Sequence, residues 1–398
     1  MVSMKLIYAA IDLPSRWARS IQEAKMAQAF AGKVADFELV IPGDLWSLLR
    51  GKTFDLRQWY GLHREFKITR LPLFLKKEYP FPQNYETRQF ILRFLRWATI
   101  YIRLRSPDLV YTRLVKMARA ALRSGLTVLL EWHAPTNGGV FREQLFTDSN
   151  FLGVVAISPL SAQDFIENGL APEKVLVEAD GVDLQSFLPH QSKEDARHKL
   201  SLRADVPIVV YAGHLYDFKG IPTLYKVAAS MPHCYFVLVG GWEHDIERAR
   251  RFCQSNGLSN VHVVGFVTQS ELPTYLYAGD ILVLPNSRGH DWAETTSPLK
   301  LFEYMATRRP IVASTLPNVI TVLRDMSNAL LAEPDCPASF RALIERLLNE
   351  PQLGKAIAEQ AFQDVQDYTW ERRAERILQF VTNRLQEIGD SANESLIW

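Results

Sequence analysis

Short apolar runs, each followed by helix-like patterning, occur in two series along this chain of 398 residues. That alternation constrains the fold most, because parallel strands need long crossovers and a crossover helix covers the sheet face. The first series gives strands at Lys5–Ile11, Phe37–Ile41, Leu109–Tyr111, Thr127–Glu131, Val154–Ile157 and Lys174–Glu178. The second gives Ile208–Ala212, Tyr235–Val239, Val261–Val264, Ile281–Leu284, Ile311–Ala313 and Ala329–Leu331. Between them, near Asp183–Val206, Pro189, a polar helix-like segment and Asp205-Val-Pro interrupt the pattern. The pattern predicts an α/β chain of two doubly wound domains, 1–189 and 190–367, followed by a terminal helix and tail over 368–398. Ligands of such sheets sit outside the carboxyl ends of the strands, so the cleft between two facing sheets is the expected site.

Composition narrows the function classes. Hydrophobic content of 47% and charged content of 22% suit a globular protein, and a net charge of +1 argues against bulk nucleic-acid binding. Three cysteines imply no disulfide framework. The opening M-V-S-M-K-L-I-Y-A-A is interrupted by Asp12 and Pro14, which predicts a first strand rather than a signal peptide. No run of eighteen apolar residues is present, so the expectation is a cytoplasmic chain without a spanning helix. Ser20-Ile-Gln-Glu23 has the spacing of a capping box and predicts a helix starting there. Asp44–Asn84 reads as loops and short helices.

Residues 88–123 carry nine Arg or Lys and one acid, Asp108. Over 88–105 aromatics interleave with the arginines. Two readings stand here: a helix packed on the sheet with solvated arginines, or a peripheral contact with the inner face of an anionic membrane.

The candidate chemistry gathers in the second half. After the strand ending at Ala212, Gly213 turns the chain, and His214 and Lys219 lie on the following loop. A lysine there is a point charge suited to a diphosphate, against the plainer reading of a solvated loop lysine. Paired glycines, including Gly241, follow the next strand, and Phe266–Val267 follow the third, where they offer an apolar wall for a base. The polar loop Asn286–Glu294 then leads to Thr295-Thr-Ser-Pro-Leu-Lys-Leu-Phe-Glu303. Ser297 and Pro298 predict the start of a helix, whose first amides around Pro298, Leu299 and Lys300 suit an anion. Glu303 sits further along that helix, where a carboxylate can hold a pair of ribose hydroxyls. Taken alone, the segment reads better as an ordinary amphipathic helix with a surface Glu.

In order and spacing, these elements resemble the donor-binding domain of retaining GT-B glycosyltransferases, glycosyltransferase family 4. The similarity rests on Gly213…Lys219-Gly220, Val264-Gly-Phe-Val267, Asp280–Pro285, Ser297–Ala306 and Pro310-Ile-Val-Ala313. It continues through Asp180-Gly-Val-Asp183 and Tyr368-Thr-Trp370, and more loosely through Glu131-Trp-His133. The resemblance implies two Rossmann-like domains facing across a cleft, with a C-terminal helix crossing back to the first. It implies that Lys219 holds the donor diphosphate, with His214 standing where the family has arginine. It further implies that Glu303 binds the ribose, that Phe266 and Val267 border the base, and that His133 faces the donor sugar.

Thr295 occupies the position of the family's first motif glutamate, with Glu294 one residue early. The family's glycine-rich loop after the first strand is absent from Asp12–Arg19. The expected activity is transfer of a sugar, a hexose for preference, from a nucleoside-diphosphate sugar to a hydroxyl acceptor. No Asp-x-Asp pair is present, so no metal or other cofactor is expected. The expected assembly is a monomer or homodimer. The alternatives are a weakly active or inactive scaffold of the same fold, and a nucleotide-sugar epimerase. A nicotinamide-type oxidoreductase is disfavoured, because neither half contains G-x-G-x-x-G after a strand.

Overall fold

The apolar runs form two all-parallel sheets, of seven and six strands among the described residues. The structure is a computed structural model that describes residues 1–73, 88–133, 145–290 and 297–395. It divides the chain into two units, Met1–Asp180 with Trp370–Trp398, and Gly181–Thr369. The division falls nine residues before the expected boundary at 189, since Gly181–Phe187 already belongs with the second unit.

Unit 1 runs β1 (Val2–Ala9), α1 (Ala18–Ala31), β2 (Val34–Asp44), α2 (Leu45–Leu49), α3 (Leu56–Tyr60), β3 (Lys67–Leu73), α4 (Arg88–Arg105), β4 (Leu109–Thr112), α5 (Val115–Leu122), β5 (Val128–Trp132), β6 (Phe151–Ala156), α6 (Pro159–Glu167) and β7 (Val175–Val177). Its strand order is β3-β2-β1-β4-β5-β6-β7. Unit 2 continues with α7 (Lys193–Lys199), β8 (Ile208–Ala212), α8 (Ile221–Ser230), β9 (Tyr235–Val239), α9 (Glu243–Ser255), β10 (Val261–Gly265), α10 (Leu272–Ala278), β11 (Ile281–Leu284), α11 (Leu299–Met305), β12 (Ile311–Ser314), β13 (Leu330–Ala332), α12 (Pro337–Asn349) and α13 (Pro351–Asp364). Its order is β10-β9-β8-β11-β12-β13. Strands buried on both faces, such as Ile208–Ala212 and Ile281–Leu284, explain why these segments read as continuous apolar runs. The last helix, α14 (Trp370–Ser395), packs on α1 and β6 and so returns to unit 1.

Three local expectations need correction. Helix α1 starts two residues before Ser20, with Trp17 as N-cap and no side-chain cap bond. The Ser20 hydroxyl instead donates to the Asp12 carbonyl at 2.9 Å, and Glu23 is buried in the helix, so the capping-box spacing is satisfied by tertiary contacts. Within Asp44–Asn84 the structure places an edge strand, β3, alongside the two short helices. β3 alternates apolar with polar residues because its partner β2 presents the buried Glu38, which accepts from Lys67 Nζ at 3.0 Å and from the Thr69 hydroxyl. The third correction concerns α11 and is given with the site.

Helix α4 has two unlike faces. Phe94, Leu95, Ala98 and Ile102 enter the core, while the Tyr101 hydroxyl donates to Glu38 at 2.5 Å and Arg105 pairs with it at 3.2 Å. The outward face carries exposed Leu92, Trp97, Ile100 and Leu104 among exposed Arg93, Arg96 and Arg103. Among the described residues no helix is long and apolar enough to cross a membrane.

Candidate functional site

In unit 2 the strand order reverses direction at β8 and β11, which are neighbours in the sheet. Loops leaving the carboxyl ends of such a pair diverge and open a crevice between them. Gly213 and Lys219 follow β8, and the segment leading to α11 follows β11. Glycines allow this rim to close tightly. A Cβ on Gly220 (φ +81°) would lie 1.7 Å from the Pro285 carbonyl oxygen, and one on Gly240 would lie 2.5 Å from that of Gly213. Backbone bonds fix the rim: Gly213 N–H to Val239 O at 2.8 Å, Gly240 N–H to Gly265 O at 2.7 Å, and Ser287 N–H to Phe218 O at 3.0 Å. Gly241 serves packing here, since a side chain there would meet Leu215 and Ile246.

Helix α11 begins at Leu299 with Pro298 as its N-cap and no side-chain cap bond, so Ser297 is not the cap the sequence suggested. Proline fixes φ at −80° in the half-in position and starts the helix one residue later. The helix is anchored from its far end. The Tyr304 hydroxyl accepts the Ala212 N–H at 2.7 Å, tying α11 to the last residue of β8. Burial and the neighbouring Glu303 charge hold that phenol well above its ordinary pKa, and the bond to Ala212 offsets only part of this.

This anchor brings Lys300 beneath the Gly213 turn. Its ammonium stands 4.1 Å from the centre of the Tyr211 ring, and a Cβ on Gly213 would lie 2.9 Å from it. Burial, then the nearby Lys219 charge, hold Lys300 well below the usual lysine range, while Glu303 opposes that shift. Burial pushes Lys219 down to about 8, so it still carries charge near neutrality. Glu303 itself is half-buried.

His214 joins a column of rings. Its imidazole stacks on Trp242 (centroids 5.4 Å apart) and on Tyr216 (5.1 Å), Tyr216 stacks on Phe218 (5.3 Å), and Phe218 on His290 (4.1 Å). His214 and Tyr216 precede the 3-10 turn Asp217–Lys219 that carries Phe218. Trp242 Nε1–H donates to the Tyr216 hydroxyl at 2.8 Å and locks the column. Burial, then the Lys300 and Lys219 charges, push His214 down to about 4, leaving it neutral at pH 7. The Lys219 ammonium lies 5.1 Å from the Phe218 ring centre. Phe266 is exposed and Val267 half-buried at the end of β10. Glu294 and Thr295 lie outside the described residues.

Asp280 is not part of this rim. It lies at the amino end of β11, where it accepts from Ile208 N–H (2.7 Å), Lys193 (2.7 Å) and Arg197 (2.5 Å) and fastens α7 to the sheet.

In unit 1, His133 enters a buried polar network. Its Nε2 lies 2.5 Å from Glu131 Oε1, which also accepts from Gln22 Nε2 at 2.5 Å and Arg373 Nη2 at 2.8 Å, while the Tyr111 hydroxyl takes the other oxygen. Burial and the Arg113 charge push His133 down to about 3 despite that carboxylate, so it is a neutral ring held by Glu131. Among the described residues Glu131, His133 and Asp180 bring three potential ligand atoms within 4.8 Å of one another. Arg373 already places positive charge on Glu131 there, and a metal ion would have to displace it. Sequence reading missed Arg373, Tyr304 and the Lys300 side chain, since each acts through a partner distant in sequence.

The family model described as Glycosyl transferases group 1 matches residues 206–350. That match covers the β8–α12 part of unit 2, which is therefore similar to the group 1 glycosyl transferases. The chain is 27% identical over 238 residues to D-inositol 3-phosphate glycosyltransferase of Streptosporangium roseum, covering 56% of this chain and 53% of that relative. It is 29% identical over 164 residues to alpha-D-kanosaminyltransferase of Streptomyces kanamyceticus, covering 39% of this chain and 40% of that relative. The chain thus spans about half the length of the curated relatives it matches. Among solved structures, sucrose-phosphate synthase of Thermosynechococcus elongatus superposes with a TM-score of 0.73 at 18% identity, covering 96% of this chain and all of that one (100%). Anabaena HepE in complex with UDP-glucose superposes with a TM-score of 0.71 at 17% identity, with coverage of 96% and 100%. These likenesses show the fold, two doubly wound parallel sheets of the GT-B type. The segment that matches the family model, residues 206–350, contains Lys219, Lys300 and Glu303.

Proposed function

We propose that the protein is a retaining glycosyltransferase that moves a sugar, a hexose for preference, from a nucleoside-diphosphate sugar to a hydroxyl acceptor without a metal ion. The observation that carries this reading is Lys219, a half-buried lysine that keeps its charge near neutrality, at the switch point of a segment that matches the group 1 glycosyl transferase model. In such a transfer the bond between the anomeric carbon and the diphosphate oxygen breaks, and the bond to the acceptor oxygen forms on the same face. The acceptor hydroxyl gives its proton to a phosphate oxygen of the departing diphosphate, which takes the electron pair of the broken bond. A fixed cation at the leaving group stabilises that developing charge in the transition state. Glu303 suits the ribose, and Phe266 with Val267 suits one edge of the base. His133, held by Glu131, presents a neutral imidazole, consistent with orientation of a sugar hydroxyl rather than with acid catalysis at pH 7.

The test is a thermal-shift panel of UDP-, GDP- and ADP-sugars, followed by transfer assays with Lys219→Ala. Binding of donor to the folded state raises the melting temperature. The expected outcome is a shift with one nucleotide class and loss of turnover in the variant. No shift with any donor would refute the reading. A shift without turnover across a range of acceptors would favour the scaffold alternative suggested by Thr295, and an altered sugar formed without acceptor would favour the epimerase.

A further inference from the structure

The Lys300 ammonium nitrogen is sequestered from solvent and, among the described residues, makes no hydrogen bond. Its neighbour at 4.1 Å is the face of Tyr211, whose own hydroxyl donates to the His214 carbonyl at 2.6 Å. A buried ammonium in this state is costly, and buried polar groups are almost always satisfied. A Cβ at Gly213 would lie 2.9 Å from it, and the Tyr304–Ala212 bond fixes the helix that carries it. The Lys219 charge is close enough to push Lys300 down further, with the Glu303 carboxylate opposing that shift.

We propose that the Lys300 ammonium is a second anion ligand of the site, acting with Lys219 on one diphosphate group. The assignment rests on the donor-binding reading above. His214, packed against Trp242 and Tyr216, is neutral at pH 7, so Lys300 is the basic group that reaches the Gly213 turn from α11.

The experiment is calorimetric titration of the full chain with inorganic pyrophosphate at pH 7, using wild type, Lys300→Met and Lys300→Arg, with UDP, GDP and ADP titrated in parallel. Methionine keeps the length and apolar stem of the side chain and removes the charge. Pyrophosphate affinity should fall at least tenfold in Lys300→Met, about 1.4 kcal/mol, and be largely retained in Lys300→Arg. The ligand-free melting temperature of Lys300→Met should equal or exceed that of wild type, because a buried polar group with no partner among the described residues is gone. Weaker binding with undiminished stability is an outcome that a merely structural lysine does not produce. Equal pyrophosphate affinity in wild type and Lys300→Met overturns the proposal, as does absence of pyrophosphate binding to wild type or a lowered melting temperature in Lys300→Met. If pyrophosphate binding depends on Lys300 but no nucleoside diphosphate binds more tightly than pyrophosphate, the anion site stands and the nucleotide-sugar reading fails.

Discussion

Replacing Arg373 with methionine tests how the last helix is held in unit 1. Arg373 is 1% exposed and is among the largest fully buried side chains. Its guanidinium donates to Glu131 Oε1 at 2.8 Å and to the Ala179 carbonyl at 2.9 Å, so it connects α14 to the end of β5 and to the segment that leaves unit 1. Burial alone would raise the Glu131 pKa, but Arg373, His133 and Arg113 together hold it well below the carboxylate range. Removing one partner of a buried pair costs about 3–5 kcal/mol, because the other charge is left uncompensated. Glu131 keeps Gln22, Tyr111 and His133 as neighbours, which moves the figure toward the lower end, and the lost carbonyl bond adds about 1 kcal/mol. The expected loss is about 3–4 kcal/mol. With a urea slope of about 2 kcal/mol/M, the midpoint of the unit 1 transition falls by roughly 1.5–2 M. Hydrogen exchange should show faster opening of α14 and β5, with the strands of unit 2 unchanged. Combining Arg373→Met with Glu131→Gln should recover part of the loss, with a coupling of about 2 kcal/mol. A cost below about 1 kcal/mol for Arg373→Met, or no recovery in the double variant, would refute this account of the helix anchor.

Two further outcomes follow from the same contacts. Burial pushes Asp180 up to about 7, and burial together with the Asp12 charge pushes Glu23 up to about 8, against ordinary values of 3.8 and 4.5. The folded state therefore holds protons that the unfolded chain releases, so this stability is present at acid pH and is lost as pH rises through about 7–8. Urea midpoints of unit 1 measured from pH 5 to 8 should fall, and Glu23→Gln with Asp180→Asn should flatten that slope; an unchanged slope would contradict the assignment. Gly220→Ala places a Cβ 1.7 Å from the Pro285 carbonyl oxygen at φ +81°, forcing the loops after β8 and β11 apart. A loss of at least about 2 kcal/mol is expected, roughly 4–8 °C in the melting temperature of unit 2, and a differential scanning calorimetry trace matching wild type would count against the tight-rim account.

The second sheet was legible because its strands are buried on both faces. Such strands announce themselves as unbroken apolar runs, and Ile208–Ala212, Tyr235–Val239 and Ile281–Leu284 have the expected ends. The edge strand Lys67–Leu73 was not legible, since half its surface faces charged partners and its pairing with Glu38 comes from β2. Capping patterns misled twice, at Ser20 and at Ser297. Both spacings were genuine, but what a hydroxyl bonds depends on which loop lies beside it. Asp280 is a related case: its place before a strand was read correctly, yet that position puts it at the end of the sheet away from the rim.

The sequence by itself determined the layout: two parallel α/β halves, a glycine turn followed by Lys219, and a carboxylate at Glu303 on the helix before Pro310. Those features are local, encoded in periodicity and in the special backbone freedom of glycine and proline. Only the tertiary structure decided the electrostatics. Whether Lys300 points at solvent or beneath Gly213, whether His214 is charged, and whether His133 is free or bound to Glu131 depend on neighbours tens or hundreds of residues away. Charge state is set by burial and by the charges that the fold brings close, and no spacing along the chain records either.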